Sequence, residues 1–128
     1  MKYLLDTCSF LWLSQEPDKL SSAASAAVND STSALFVSDV SILEITMKHS
    51  AGRLPLPEEP RGWVTEKISY HKVQALALTR DVIFRNGELP RTHADPFDRL
   101  LAAQAIASDL TIISPDTPLS QLGAARIW

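Results

Sequence analysis

Four acidic residues that are spread over the whole sequence have the type and the placement to share one chemical task. They are Asp6, Glu44, Asp98 and Asp116. Carboxylates that lie a few ångströms apart raise one another's pKa, and a divalent cation relieves this repulsion. Because oxygen ligands select hard cations, such a cluster predicts a site for Mg²⁺ or Mn²⁺. The matching chemistry is phosphodiester hydrolysis, in which the metal activates a water molecule.

The elements that must position these acids alternate between short strands and helices. Strands are predicted at residues 2–5, 35–37, 73–78, 110–113 and 126–128. Helices are predicted at residues 9–14, 17–29, 39–51, 61–70, 80–86 and 96–108, and Gly52 and Gly87 are expected to end two of them. This alternation predicts a parallel sheet with helices on its faces.

The predicted sheet brings the acids to one of its edges. Asp6 follows the first strand, and Asp116 follows the strand that ends at Ile113. Glu44 lies in the helix after the second strand, and Asp98 lies in the first turn of the last long helix. Open parallel sheets bind ligands beyond the carboxyl ends of their strands. We therefore expect the four carboxylates to converge there.

Each acid also has an ordinary structural interpretation. Glu44 lies one helical turn before Lys48 and could form an ion pair with it. Asp95 suits the N-cap of the last long helix, and Asp98 suits the positive end of that helix. Asp116, which is followed by Thr117 and Pro118, suits a helix cap or a turn. The joint placement of the four acids, and no single one of them, favours the metal site.

The composition is that of one globular domain over residues 1–128. Hydrophobic residues make up 45% of the chain and charged residues 21%. The single cysteine excludes an internal disulfide. The sequence has no apolar run near the ~20 residues of a membrane span, and Asp6 comes too early for a signal peptide. We therefore expect a cytoplasmic protein with no membrane contact.

The charge balance is compatible with a nucleic-acid substrate once the four acids are set aside. The net charge is −3, from 15 acids and 12 bases, which is not typical of a nucleic-acid-binding protein. Without the four acids, 11 acids face 12 bases. The basic residues near the acidic segments are candidates for contacts with a nucleic-acid backbone, and ordinary solvated charges are the alternative. The candidates are Lys48, Arg53, Arg91 and Arg99.

Four segments of the chain resemble PIN-domain ribonucleases, and in particular the VapC-type toxins of bacterial toxin–antitoxin pairs. The segments are residues 4–7 with 10–12, 37–45, 95–105 and 110–116. The resemblance extends over nearly the whole chain. It implies that Asp6, Glu44, Asp98 and Asp116 form an acidic metal-binding and catalytic set. Asp95 is then an accessory acid, and Thr7 and Ser114 are placed to orient a water molecule or a ligand.

The resemblance also implies a fold and an activity. The fold is an α/β/α sandwich in three layers with a mostly parallel central sheet. The activity is Mg²⁺- or Mn²⁺-dependent endonucleolytic cleavage of RNA, often transfer or ribosomal RNA, by a toxin that is a homodimer and is inhibited by a cognate antitoxin protein. The basic candidates would then contact RNA. One departure is Cys8, which stands where the VapC subgroup usually has histidine.

Two alternative functions remain compatible with the same fold. One is a PIN-fold nuclease of RNA processing that has no antitoxin, and the other is an inactive domain that only binds a partner. A phospho-accepting signalling domain is disfavoured because it needs adjacent acids after the first strand and a lysine after the last. Here Thr7 and Cys8 follow Asp6, and no lysine follows Lys72.

Overall fold

The computed structural model describes residues 1–93 and 95–128, which form alternating strands and helices. The strands are β1 (Lys2–Leu5), β2 (Ala34–Ser38), β3 (Gln74–Leu76), β4 (Thr111–Ile113) and β5 (Arg126–Ile127). The helices are α1 (Thr7–Gln15), α2 (Ser22–Asn29), α3 (Asp39–Ser50), α4 (Pro60–Tyr70), α5 (Arg80–Glu88), α6 (Pro96–Ser108) and α7 (Pro118–Gln121). A 3-10 helix spans Pro17–Lys19. Within the described residues, no helix has the length and apolar character needed to cross a membrane.

The five strands of the described sheet are all parallel, in the order β3-β2-β1-β4-β5. β1 lies at the centre, where Leu4 is in register with Phe36 of β2 and Ile112 of β4. Parallel strands need crossover connections, and the helices supply them. The carboxyl ends of all strands therefore meet at one edge of the sheet, where the chain leaves β1 at Asp6.

Neighbouring residues of β1 face opposite sides of the sheet and belong to two separate cores. Leu5 lies in a core with Phe10 of α1 and Trp63 of α4, whose rings pack edge to face with centroids 6.1 Å apart. Leu4 lies in a second core with Leu101 of α6. Helices on both faces of an all-parallel sheet confirm the predicted three-layer α/β/α sandwich.

Three helices that start at the carboxyl edge begin with a capping side chain. Asp6 caps α1, Ser38 caps α3 and Asp95 caps α6. Each side chain accepts a hydrogen bond from a main-chain N–H of the first helical turn, at 2.8–2.9 Å. Because a cap satisfies an otherwise unpaired N–H, these residues fix where each helix begins and hence where its first side chains lie.

Many element boundaries lie one or two residues from the predicted ones, and three further features differ from the sequence predictions. The predicted helix at 17–29 is interrupted, because the Ser21 hydroxyl accepts a hydrogen bond from the N–H of Ala24 and starts α2 there. Gly87 does not end its helix, since α5 continues to Glu88. The short helix α7, which follows Asp116, is absent from the predicted elements.

Candidate active site

Asp6 lies at the carboxyl end of the central strand and is 3% exposed. Its Oδ1 accepts a 2.8 Å hydrogen bond from the N–H of Ser9, and the thiol of Cys8 lies 3.3 Å from the same oxygen. Burial raises the pKa of Asp6, and hydrogen bonds from Ser114, Ser9 and Cys8 offset part of this rise. Burial and the charge of Asp6 also raise the pKa of the Cys8 thiol. Cys8 is therefore a protonated donor to Asp6 rather than a nucleophile.

Asp98 lies in the first turn of α6 and is half-buried. Its Oδ2 is 2.8 Å from Nε2 of His93. Burial is the main cause of the raised pKa of Asp98; the hydrogen bond from His93 counteracts it, and the charges of Asp95 and Asp116 add to it. Asp98 is therefore a partly desolvated carboxylate that is repelled by two acidic neighbours.

Asp116 follows β4 and is exposed. Its N–H donates a 3.0 Å hydrogen bond to the hydroxyl oxygen of the buried Ser114, which fixes the turn between β4 and Asp116. Besides burial, which is the larger effect, the charge of Asp116 raises the pKa of Asp98 and of the Cys8 thiol. Asp116 is therefore a close electrostatic neighbour of both the Asp98 and the Asp6 sides of the site.

Glu44 joins the site through Thr7. The Thr7 hydroxyl donates a 2.6 Å hydrogen bond to Oε1 of Glu44, and its oxygen lies 3.0 Å from the hydroxyl oxygen of Ser41. The ammonium group of Lys48 lies 2.6 Å from Oε2 of Glu44. Since Thr7 is the residue after Asp6, this contact connects α3 to the carboxyl end of β1. Thr7, which was predicted to orient a water molecule or a ligand, thus positions Glu44 next to Asp6.

The acidic residues have the donor chemistry for a hard divalent cation, although they are not packed as a closed cage. Among residues 1–93 and 95–128, no three His, Cys, Asp or Glu side chains are grouped closely enough to hold a metal ion by themselves. No lysine or arginine of the described residues forms a salt bridge with Asp6, Asp98 or Asp116. The negative charge at this edge is therefore largely uncompensated. Mg²⁺ fits such a place, because it usually takes only one or two carboxylates and keeps several waters.

The four basic residues that were predicted to contact RNA have different environments. Lys48 is paired with Glu44, and Arg53 and Arg91 are exposed. The guanidinium of Arg99 donates to four main-chain carbonyls, at 2.6–3.2 Å. A guanidinium has only five N–H donors, so few remain for a ligand. We therefore give Arg99 a structural role in place of the predicted RNA contact.

Two contacts of the site have no signal in the sequence. His93 approaches Asp98 from a segment without regular structure, where no periodicity predicts the direction of a side chain. Ser41 meets Thr7 although the two lie 34 residues apart, and this pairing depends on how α3 packs against α1. Asp95, predicted as an N-cap and as an accessory acid, does cap α6, and its charge contributes to the raised pKa of Asp98 after burial.

Comparisons with known proteins identify the family to which the chain belongs. The model of the PIN domain family matches residues 3–125. The chain is 31% identical to Ribonuclease VapC22 of Mycobacterium tuberculosis (strain ATCC 25618 / H37Rv) over 117 residues, which cover 91% of this chain and 88% of that protein.

Solved structures share the fold at lower identity. A chain of VapBC2 from Rickettsia felis, bound to a DNA fragment from its promoter, has a TM-score of 0.74 at 18% identity and covers 99% of this chain and 98% of its own. A chain of DNA-bound VapBC from Salmonella typhimurium has a TM-score of 0.72 at 18% identity. The match covers 100% of this chain and 97% of that one. The similarity to the solved structures shows a shared fold. The family match and the 31% identity assign the chain to a family. The chain therefore belongs to the PIN-domain family and is of the VapC type.

Proposed function

We propose that this chain is a Mg²⁺- or Mn²⁺-dependent endoribonuclease and the toxin of a toxin–antitoxin pair. One observation carries the proposal: Asp6 and Asp116 follow adjacent strands at the carboxyl edge of a PIN domain, and Asp116 is an electrostatic neighbour of Asp98 and of the Cys8 thiol beside Asp6. No lysine or arginine of the described residues forms a salt bridge with these three acids. The kinship with a protein named Ribonuclease VapC22 supports nuclease chemistry.

Each acid has a distinct part in this proposal. Asp6, Asp98 and Asp116 are the residues that would hold the cation, and Glu44 completes the set through Thr7. A divalent cation bound there supplies a water molecule of lowered pKa and neutralises charge on the phosphate that is cut. The N–H of Ser9 donates a hydrogen bond to Oδ1 of Asp6, and the Cys8 thiol lies 3.4 Å from Oδ2, so the direction of this carboxylate is fixed.

The chain's other polar groups would orient the acids and the RNA. His93 fixes Asp98, and Ser114 fixes the turn that carries Asp116. Arg53 and Arg91 are exposed cations that could follow the RNA backbone, and Lys48 adds a positive charge beside Glu44. Phosphate contacts of this kind position RNA but do not select its sequence.

The proposed partners follow from the VapC kinship. Both solved neighbours described above are VapBC complexes, which supports an antitoxin as a partner of this chain. We also propose a homodimer in the cytoplasm. Leu43 and Met47 lie four residues apart on α3 and are 47% and 54% exposed, and Phe84 on α5 is 67% exposed. Leu43 and Met47 are adjacent on the surface of α3, and an exposed apolar patch is typical of a contact between proteins.

Cleavage of RNA by the purified protein tests the proposal. We expect cleavage with Mg²⁺ or Mn²⁺, none with a chelator, and none for Asp6→Asn or Asp98→Asn. In cells, Asp6→Ala, Glu44→Ala and Asp98→Ala should each relieve growth arrest, and circular dichroism should show that these variants remain folded. Sequencing of RNA 5′ ends after brief expression would identify the target.

Two outcomes would contradict the proposal. One is a folded wild-type protein that cuts no RNA with either metal, which would favour the partner-binding alternative. The other is an Asp98→Ala protein that is folded and still arrests growth. A wild-type protein that cuts RNA but has no antitoxin would support the nuclease and reject the toxin.

A further inference from the structure

A pocket of about 550 Å³ opens between the end of α5, the segment after it and the start of α6. Its lining residues are Asn86, Gly87, Arg91, Thr92, His93 and Arg99. Ligand pockets in proteins usually have volumes of roughly 300–1,000 Å³, so this one is large enough for a small molecule or one unit of a polymer.

The pocket adjoins the acidic site through His93. The His93 ring contacts Asp98 at 2.8 Å, and the same residue forms part of the pocket wall. A ligand in the pocket is therefore separated from the candidate catalytic carboxylate by a single side chain. A substrate that extends from Asp98 along this surface would place its next unit in the pocket.

The lining is positive and has unused polar groups. Among the described residues, the lining includes two arginines and a histidine but no acidic residue. In the described part of the chain, the side chains of Arg91 and Thr92 make no hydrogen bond or salt bridge. The side-chain amide N–H of Asn86 donates to the main-chain carbonyl of Ile83, and the side-chain carbonyl oxygen of Asn86 is left as an acceptor. An anionic ligand with hydrogen-bonding groups suits this surface.

Arg99 makes the rear of the pocket rigid. Its guanidinium donates to the carbonyls of Asn86, Leu89, Pro90 and His93, which belong to the end of α5 and the segment that borders the pocket. The pocket is thus held open by a charged side chain that already makes four hydrogen bonds to the main chain. A pre-formed cavity of this kind binds a ligand without first paying for the ordering of a loop.

Gly87 has no structural reason to be glycine. It lies inside α5, where glycine is less stable than alanine, and its φ is not in the left-handed region. A methyl group at Gly87 would meet no atom within 4 Å. The fold therefore tolerates a larger residue, and what glycine provides is open space on the wall of the pocket.

We propose that this pocket holds one unpaired nucleotide of single-stranded RNA, next to the phosphate that is cut. Arg91 binds the phosphate of that nucleotide, and its base lies over Gly87 within reach of Asn86. The proposal rests on the ribonuclease function proposed above and adds a specificity site to it. RNA is favoured over an antitoxin peptide because an anion matches the positive lining, and because proteins read RNA sequence mainly from unpaired bases.

The test uses Gly87→Met and Arg91→Ala, with Lys2→Ala as the control. Lys2 is an exposed cation at the amino end of β1, on the edge of the sheet opposite the site. Methionine is a good helix former, so Gly87→Met should melt no lower than wild type. RNA binding is measured by fluorescence anisotropy in EDTA with a pool of single-stranded oligoribonucleotides, and cleavage is measured with Mg²⁺ or Mn²⁺.

We expect Gly87→Met and Arg91→Ala to weaken RNA binding and to raise KM about tenfold or more. The kcat of these two variants should change by no more than about twofold. The control Lys2→Ala should bind RNA within about twofold of wild type. Gly87→Met should also change the nucleotide preference at one fixed position beside the cut, which a purely structural role of Gly87 would leave unaltered. Equal RNA affinity and equal preference in Gly87→Met and wild type would overturn the pocket proposal, even if Asp98→Asn is inactive. Undetectable binding of the pool by wild type would overturn it too. Binding that depends on Gly87 without any cleavage would support the pocket and reject the ribonuclease.

Discussion

The hydroxyl group of Thr7 donates a 2.6 Å hydrogen bond to Oε1 of Glu44. Thr7 directly follows Asp6, so this bond ties the acid of α3 to the acid at the end of β1. Ser41 lies against the same hydroxyl, and Lys48 contacts the other oxygen of Glu44. The direction of the Glu44 carboxylate is therefore set by Thr7 and Lys48, with Ser41 beside Thr7, and not by the helix alone.

Thr7→Val should lower RNA cleavage about tenfold to a hundredfold, and Thr7→Ser should retain most of it. Valine has a similar volume but leaves Glu44 and Ser41 without the hydroxyl, which costs about 1–3 kcal/mol for buried polar groups. Single-turnover cleavage and thermal unfolding measure the two effects. A Thr7→Val protein with wild-type kcat/KM would show that Glu44 needs no positioning.

Asp6→Asn should stabilise the protein near neutral pH. Burial raises the pKa of Asp6 above its ordinary value of 3.8, so the folded state binds the proton more readily than the unfolded state. The wild-type protein consequently loses stability as the pH rises through the folded-state pKa, and asparagine has no charge to bury. Asparagine also keeps the N-cap of α1.

The melting temperature as a function of pH, measured in EDTA, tests this prediction. We expect Asp6→Asn to melt a few degrees higher near pH 7, since one kcal/mol corresponds to roughly 3–5 °C for a domain of this length. The difference should shrink as the pH falls towards the ordinary carboxyl pKa. If Asp6→Asn instead melts lower than wild type at neutral pH, the hydrogen bonds to the charged Asp6 stabilise the folded protein by more than its burial destabilises it.

Mg²⁺ or Mn²⁺ should raise the melting temperature of the wild-type protein. A ligand at one hundred times its Kd stabilises the folded state by about 2.7 kcal/mol, and EDTA should reverse the shift. Asp98→Asn should abolish most of it, because one of the candidate ligands is lost. The matched control is Asp18→Asn, which removes an exposed acid outside the site and should preserve the shift. Equal metal shifts in both variants would argue against a site at Asp98.

Arg99→Lys should destabilise the protein by about 2–4 kcal/mol although it keeps the charge. The lysine ammonium group cannot reproduce the fork that bridges the carbonyls of Asn86, Leu89, Pro90 and His93. Urea denaturation measures the loss. If Arg99 were mainly an RNA contact, Arg99→Lys would unfold at the wild-type urea concentration and differ only in RNA binding.

The parts of the fold that depend on local signals could be predicted from the sequence. The Asp95-Pro96 pair combines an N-cap with a proline in the first turn, and α6 begins and ends as predicted, at Pro96 and Ser108. Strand β1 also has its predicted bounds, because an apolar segment that ends at an aspartate has few other interpretations. Local chemistry decides such boundaries before any tertiary contact forms.

The remaining features depend on tertiary contacts or on competing local ones. Gly87 was expected to end a helix, but α5 continues past it, since helices tolerate a glycine when nothing forces the chain to turn. Arg99 was assigned to RNA from its charge, and only the structure shows the four carbonyls around it. The contact between His93 and Asp98 depends on a segment without regular structure. Charge and spacing in the sequence do not predict these three features.

The strand order has a consequence for how the protein is made. β1 pairs with β4, and the Ser9 hydroxyl donates a 2.8 Å hydrogen bond to the carbonyl of Ile113, 104 residues later. A ribosome that has already synthesised Asp6, Glu44 and Asp98 has yet to synthesise the strand beside which they assemble. A nascent chain therefore cannot complete the acidic edge until β4 has left the exit tunnel.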